Sequence, residues 1–167
     1  MATQTSSLIG ASLTGANSDA TALFALGSVA EGTNGTRWEY VQATATFVTG
    51  EFVLLNAFGT AKTLLTALLT FSTPEGIDMA VCQGLINQGE HGWVAKQGRG
   101  LYVLCTGTLA VGALIGFGAN SGRLIGQAGA AVGNTMLGVY LVSAAPDPSG
   151  QVVTLATITW PRVIGAQ

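Results

Sequence analysis

The chain has 167 residues, the length of one domain, and can bury about 70% of its unfolded surface without metal or disulfide staples. Apolar residues reach 49% and charged residues only 8%, with 24 Gly, 24 Ala and 20 Thr in their place, which argues against the charged, apolar-poor class of disordered chains. Six Lys and Arg against eight Asp and Glu argue against a nucleic-acid binder with a basic face, and a surface so poor in charge points to one that faces other protein or lipid.

Residues 1–20 are small and polar, with Leu8, Ile9 and Leu13 among few anchors. They read as an extended N-terminal arm that a partner orders, or as a frayed terminus, ahead of a β domain over residues 21–167. With no basic residue and no long apolar run, the arm is not a secretory signal. After the turn Gly32-Thr33-Asn34-Gly35, residues 37–47 alternate with period two. Trp38, Tyr40 and Gln42 point one way and Glu39, Val41 and Ala43 the other, with Thr spaced to keep one face polar.

Further turns are expected at Gly50 and at residues 56–59, 74–76, 87–89, 98–100, 120–122, 133–134 and 146–150. Between them lie short runs rich in Val, Ile, Thr, Leu and aromatics, the pattern of an all-β, single-domain sandwich or barrel. Residues 61–71 place Leu64, Leu65, Leu68 and Leu69 at helical spacing, but three Thr and the β-rich surroundings leave strand and short helix equally open. Residues 100–122 and 124–146 carry no charge over a membrane-spanning length, yet Gly and Asn-containing turns break them, so neither is read as a span. The last expected strand sets Val153, Leu155, Thr157 and Thr159 against Val152, Thr154, Ala156, Ile158 and Trp160. Pro161 should end it or confine it to an edge. No internal repeat, charged linker or domain boundary stands out.

The chemistry-bearing residues are few. His91 is the only histidine, and the pair Glu90-His91 reads as a solvent-facing turn. Cys82 and Cys105 read as reduced, buried thiols, and a disulfide between them is the minor reading. Without CxxC, HxH or HExxH, no metal site is expected. Residues 59–63 resemble the end of a Walker A loop, but Ala61 replaces the Gly before Lys62 and Asn56 stands where the first Gly must bend. Residues 116–122 resemble a dinucleotide loop with one residue too many and no acid in place for ribose. The cations are scattered singly rather than along a phosphate track. No catalytic residue, cofactor or enzymatic role is expected.

The segment Gly89-Glu90-His91-Gly92-Trp93-Val94-Ala95-Lys96-Gln97-Gly98 follows the apolar run Met79-Ala80-Val81-Cys82 and a polar turn. This "His-Gly-Trp-Val-x-x-x-Gly" strand resembles a pattern in small structural proteins of tailed-bacteriophage heads. Residues 35–43 and the turn and strand Gly133-Asn134-Thr135-Met136-Leu137-Gly138-Val139 are similar to other strands of those proteins, and the likeness runs loosely over residues 25–165. It implies a capsid decoration (cement) protein on the virion surface, made in the bacterial host cytoplasm. Such a protein binds outside a shell of major capsid protein and staples neighbouring capsomers, commonly as a homo-oligomer and often as a trimer.

Such a partner is consistent with the composition, because interface cores are poor in charge and enriched in aromatics. Candidate partner-binding residues are Leu8, Ile9 and Leu13 of the arm and the turn residues His91, Lys96 and Arg99. Trp38, Trp93 and Trp160 are candidate anchors, with core packing the competing reading for each. The alternatives are another virion module (head fibre base, tail or minor coat subunit) and a carbohydrate-binding sandwich using aromatic platforms. No nucleic acid and no membrane partner is expected.

Overall fold

The computed structural model describes residues 18–32, 35–56, 59–63, 78–113, 115–117, 123–126, 135–145 and 151–164. They form ten strands: β1 (Val29–Glu31), β2 (Arg37–Ala43), β3 (Phe52–Leu55), β4 (Thr60–Thr63), β5 (Met79–Cys82), β6 (His91–Thr106), β7 (Ile115–Phe117), β8 (Leu124–Gly126), β9 (Thr135–Leu141) and β10 (Gln151–Ile164). The expected all-β class holds. The strand pairings close on themselves twice. One ring runs β2–β4–β3–β5–β6 and back to β2, and the other runs β6–β10–β9–β7–β8 and back to β6. Both are small barrels, and the long strand β6 belongs to each.

The two rings repeat one plan. In the first, β2 pairs antiparallel with the start of β6, and in the second the end of β6 pairs antiparallel with β10. Tyr40 faces Trp93 as Tyr102 faces Leu155. The parallel pair Ala43↔Ala61 corresponds to Cys105↔Leu124, and the antiparallel pair Leu55↔Ala61 to Phe117↔Leu124. Each ring is pinned where the chain turns corners. Phe47 and Ile86 exchange backbone hydrogen bonds of 2.9 and 3.0 Å, and Leu109 and Ala145 exchange bonds of 3.0 and 2.9 Å. A left-handed glycine follows three of these corners, Gly50 (φ 85°), Gly89 (φ 82°) and Gly112 (φ 77°), a conformation that L side chains resist. The registers diverge in two places: Val53 pairs with Ala80, whereas Ile115 pairs with Met136 rather than with Val139, and Arg37 pairs with Gln97, whereas Thr159 pairs with Gln97 rather than with Arg99.

An internal repeat is therefore present, against the expectation from sequence. It hides because the two halves share burial more than identity. Arg37, Tyr40, Val41, Thr44, Thr46 and Gly50 recur as Arg99, Tyr102, Val103, Thr106, Thr108 and Gly112, while the residues between them differ. The first barrel is filled by Val41, Ala43, Phe47, Val53, Ala61, Ala80, Cys82, Ile86 and Val94. Their counterparts Val103, Cys105, Leu109, Ile115, Val139, Leu141, Ala145 and Ala156 fill the second. A ring of so few strands has a narrow interior, which is why Ala, Cys and Val dominate these positions.

Other expectations need correction. The face of β2 carrying Trp38 and Tyr40 is not polar but buried, so β2 is covered on both sides. Gly98-Arg99-Gly100 is not a turn. Gly98 (φ 146°) and Gly100 (φ 69°) have unusual backbone, but β6 runs through them as it passes from one barrel to the other. Of the two outcomes expected at Pro161, the edge is the one found: β10 continues to Ile164 beyond a bulge between Ile158 and Arg162, there pairing with β9 alone. The end of the arm packs on its own body, since Asp19 bridges to His91. Residues 61–63 are strand; the helix-or-strand question over residues 64–71, and the turns at 74–76, 120–122, 133–134 and 146–150, lie outside the described residues.

Candidate docking surface

The outer wall of the first barrel is covered by the chain itself. Residues 18–31 form a strap across it. Asp19 N–H donates to the His91 carbonyl at 2.8 Å and His91 N–H to the Asp19 carbonyl at 2.9 Å, so one end is tied to the start of β6. Ser18 is held at that end by donating to the Glu90 carboxylate and accepting the backbone N–H of Asn87, and the hydrogen bonds that the Ser18 hydroxyl and the Asn87 side-chain amide donate to Glu90 lower its pKa. In mid-course, Gly27 N–H donates to the Tyr40 carbonyl (2.8 Å) and Tyr40 N–H donates to the Ser28 carbonyl (2.9 Å). The ring of Phe24 wedges edge-on against Tyr40 and Trp93, with centroids 5.3 and 5.2 Å away. β1 then completes the strap by pairing with β2. Tyr40, whose hydroxyl also reaches Asp19, is fully buried by this cover, and burial raises its pKa.

The corresponding wall of the second barrel has no such cover among the described residues. Tyr102 on β6 faces Leu155 on β10, and Leu155 in turn accepts the N–H of Val142 after β9 at 2.8 Å, so the three form a row across the sheet. Val153, two residues along β10, and Tyr140, opposite Thr157, flank the row within reach of diagonal contact. All five side chains are exposed, Tyr102 to 43% and Tyr140 to 62%. None carries a charge at neutral pH. Tyr102 corresponds to Tyr40 and Leu155 to Trp93, so the same wall is buried in one barrel and uncovered by described residues in the other. At the sheet edge the Gln83 side chain stands where the strap backbone would be. Tyr102 N–H donates to Gln83 Oε1 and Gln83 Nε2 donates to the Tyr102 carbonyl, both at 2.9 Å.

Near the junction of the barrels, Lys96 Nζ lies 3.0 Å from Glu39 Oε2 and 2.6 Å from Asp78 Oδ2. Burial works against this ammonium, but the hydrogen bonds it donates to Asp78 and Glu39, with their negative charges, outweigh it and raise its pKa. By chain order and register, the positions of Glu39 and Lys96 correspond to those of Leu101 and Ile158, both buried. A charged pair in one barrel is thus an apolar pair in the other. Arg37 and Lys96 both lie over the Trp160 ring, at 5.3 and 5.7 Å. Trp160 sits at the β10 bulge with φ 51°, which turns its ring outward. Gly138 makes room there, because a side chain would collide with the Thr159 and Trp160 carbonyls.

The sequence-derived candidates separate as follows. Leu8, Ile9 and Leu13 lie outside the described residues. Trp38 and Trp93 are core residues. His91 begins β6 rather than sitting in a turn, half-buried, tied to Asp19 and stacked on Tyr40 at 6.2 Å. Lys96 is no turn residue either but a buried member of that charged pair. Arg99 and Trp160 are exposed. Sequence reasoning missed Tyr102, Tyr140, Val142, Val153 and Leu155. The signal was the apolar content on both faces of β10, which marks a strand meant to be covered on both sides.

Cys82 lies inside the first barrel and Cys105 inside the second, both free. Burial pushes both thiols up, Cys105 to about 11. Residues 59–63 run into the strand β4 and residues 116–117 belong to β7, so the described part of neither glycine motif is a phosphate loop. Among the described residues no group of His, Cys, Asp and Glu is placed to hold a metal, and no helix is long and apolar enough to cross a membrane. Neither the protein-family models nor the curated proteins provide a match to this chain.

Proposed function

We propose that this chain is a structural protein of a bacteriophage virion that works as a homo-oligomer, with a trimer the favoured form. It docks on the outer surface of the capsid, bridging neighbouring subunits of the major capsid protein. The observation that carries this reading is the bare wall of the second barrel. Five exposed, uncharged side chains form one continuous patch whose counterpart in the same molecule is buried beneath an extended segment. A patch of this kind suits a surface covered by protein in the working state. The charge-poor composition and the likeness of the His91–Gly98 strand to phage head proteins support the same role. On a shell, many copies act together, so each contact need not be strong.

The test adds purified protein to undecorated phage shells and follows co-sedimentation and the shell melting temperature. Saturable binding with a raised melting temperature is expected. Failure to bind or to stabilise any such shell would overturn the proposal.

A further inference from the structure

We infer that the strap, residues 18–31, is a separately opening cover, which lifts off the outer wall of the first barrel while both barrels stay closed. This goes beyond the proposed function and rests on no partner. The ring β2–β4–β3–β5–β6 closes without the strap. Its interior, from Val41 and Phe47 to Cys82 and Val94, holds no strap residue. Lifting the strap therefore leaves the barrel's ladders and its filling in place. The strap itself buries little. Ala30 is buried and Phe24 partly so, whereas Leu23, Leu26 and Val29 are exposed.

What holds the strap is mostly backbone hydrogen bonding at two places, the Asp19–His91 pair and the bonds that Gly27 and Ser28 share with Tyr40. Water replaces such bonds at small net cost when a segment lifts. The conformational freedom lost by an extended segment opposes closure throughout. Closure carries a further cost at Trp38, opposite Ala30, whose indole N–H is buried with no hydrogen-bond partner among the described residues. Where the strap joins β2, Gly32 and Gly35 have no side chain to resist a swing, and Gly35 already sits in the left-handed region at φ 68°. A segment with few buried contacts opens at a free energy below that of global unfolding. Its lifting uncovers Tyr40 and Trp93, at the positions that Tyr102 and Leu155 hold in the second barrel. The strap thus sets whether the first barrel presents an aromatic wall or a covered one.

Native-state hydrogen exchange of the full chain, read amide by amide in low urea, tests this. Tyr40 and His91 belong to barrel strands, yet their N–H groups donate to the strap carbonyls of Ser28 and Asp19. They should exchange together with the Asp19 and Gly27 amides, at least about tenfold faster than the Phe47 and Ile86 amides that pin the barrel corner. Their exchange should also depend less on urea, because lifting the strap exposes less surface than unfolding the barrel. A second measurement introduces Tyr40→Cys, or Trp93→Cys if that variant does not fold, and follows modification by an aromatic disulfide reagent. The introduced thiol lies under the strap, whereas Cys82 and Cys105 lie inside the barrels. It should react at least about tenfold faster than either native thiol in the same chain. Tyr40 and His91 amides that share the rate and urea dependence of Phe47 and Ile86 would overturn the inference. So would an introduced thiol that reacts no faster than Cys82.

Discussion

Replacing Lys96 alone by Ile should cost about 3–5 kcal/mol, the usual penalty for stranding one member of a buried ion pair. Glu39 bears that penalty, since its side chain is only 12% exposed, whereas Asp78, at 52%, is rehydrated. Loss of the ammonium over Trp160 adds about 0.5–1 kcal/mol. Replacing both partners, Glu39→Leu with Lys96→Ile, installs the pair already found at Leu101 and Ile158. It should return stability to within about 1 kcal/mol of the native chain, or exceed it by up to about 4. Urea denaturation followed by tryptophan fluorescence measures both. A pH series adds a second readout. The Lys96 pKa is raised on folding, so its contribution is complete below the unfolded value of about 10.4 and is lost as pH climbs through the folded value. The native chain should therefore lose more stability above about pH 10 than the double variant, in which Tyr40 still titrates and cancels from the comparison. A double variant as unstable as Lys96→Ile would refute the correspondence between the two barrel ends.

Three further outcomes are expected. Gly50→Ala should be at least about 1 kcal/mol more destabilising than Gly112→Ala in thermal melts. Both need a left-handed backbone, but a side chain at Gly50 would meet the Leu104 nitrogen at 2.5 Å while Gly112 has open space. Phe24→Ala should lower stability by about 2–3 kcal/mol and shift Trp93 emission to the red, because the wedge over Tyr40 and Trp93 is removed. Cys82 and Cys105 should react with an aromatic disulfide reagent at pH 8 only as the chain unfolds, since both are buried and burial disfavours the thiolate.

The strand pattern was legible where one barrel wall imposes period two. Trp38, Tyr40 and Gln42 do oppose Glu39, Val41 and Ala43, and Val152, Thr154, Ala156 and Ile158 do share a side of β10. The polarity of the β2 face was misread because its cover comes from residues 18–31, a long-range contact with no local signature. For the same reason Trp38 and Trp93, plausible anchors in isolation, are core. The repeat was obscured because a barrel end can be closed equally well by Glu39 with Lys96 or by Leu101 with Ile158. Gly98 and Gly100 look like turn residues, and their backbone is unusual. However, Gln97 pairs with Arg37 on one edge and Thr159 on the other, and these ladders carry β6 straight through. The bare wall was half visible in Val153 and Leu155, but its tyrosines join it only when three distant strands are laid side by side.

Hydroxyl-radical footprinting of the dilute chain and of the assembled protein tests the central claim most directly. Tyr40 should be protected in both states, and Tyr102 and Tyr140 should be modified in the dilute chain and protected on assembly. Equal labelling of Tyr102 and Tyr140 in the two states would contradict a subunit-covered wall.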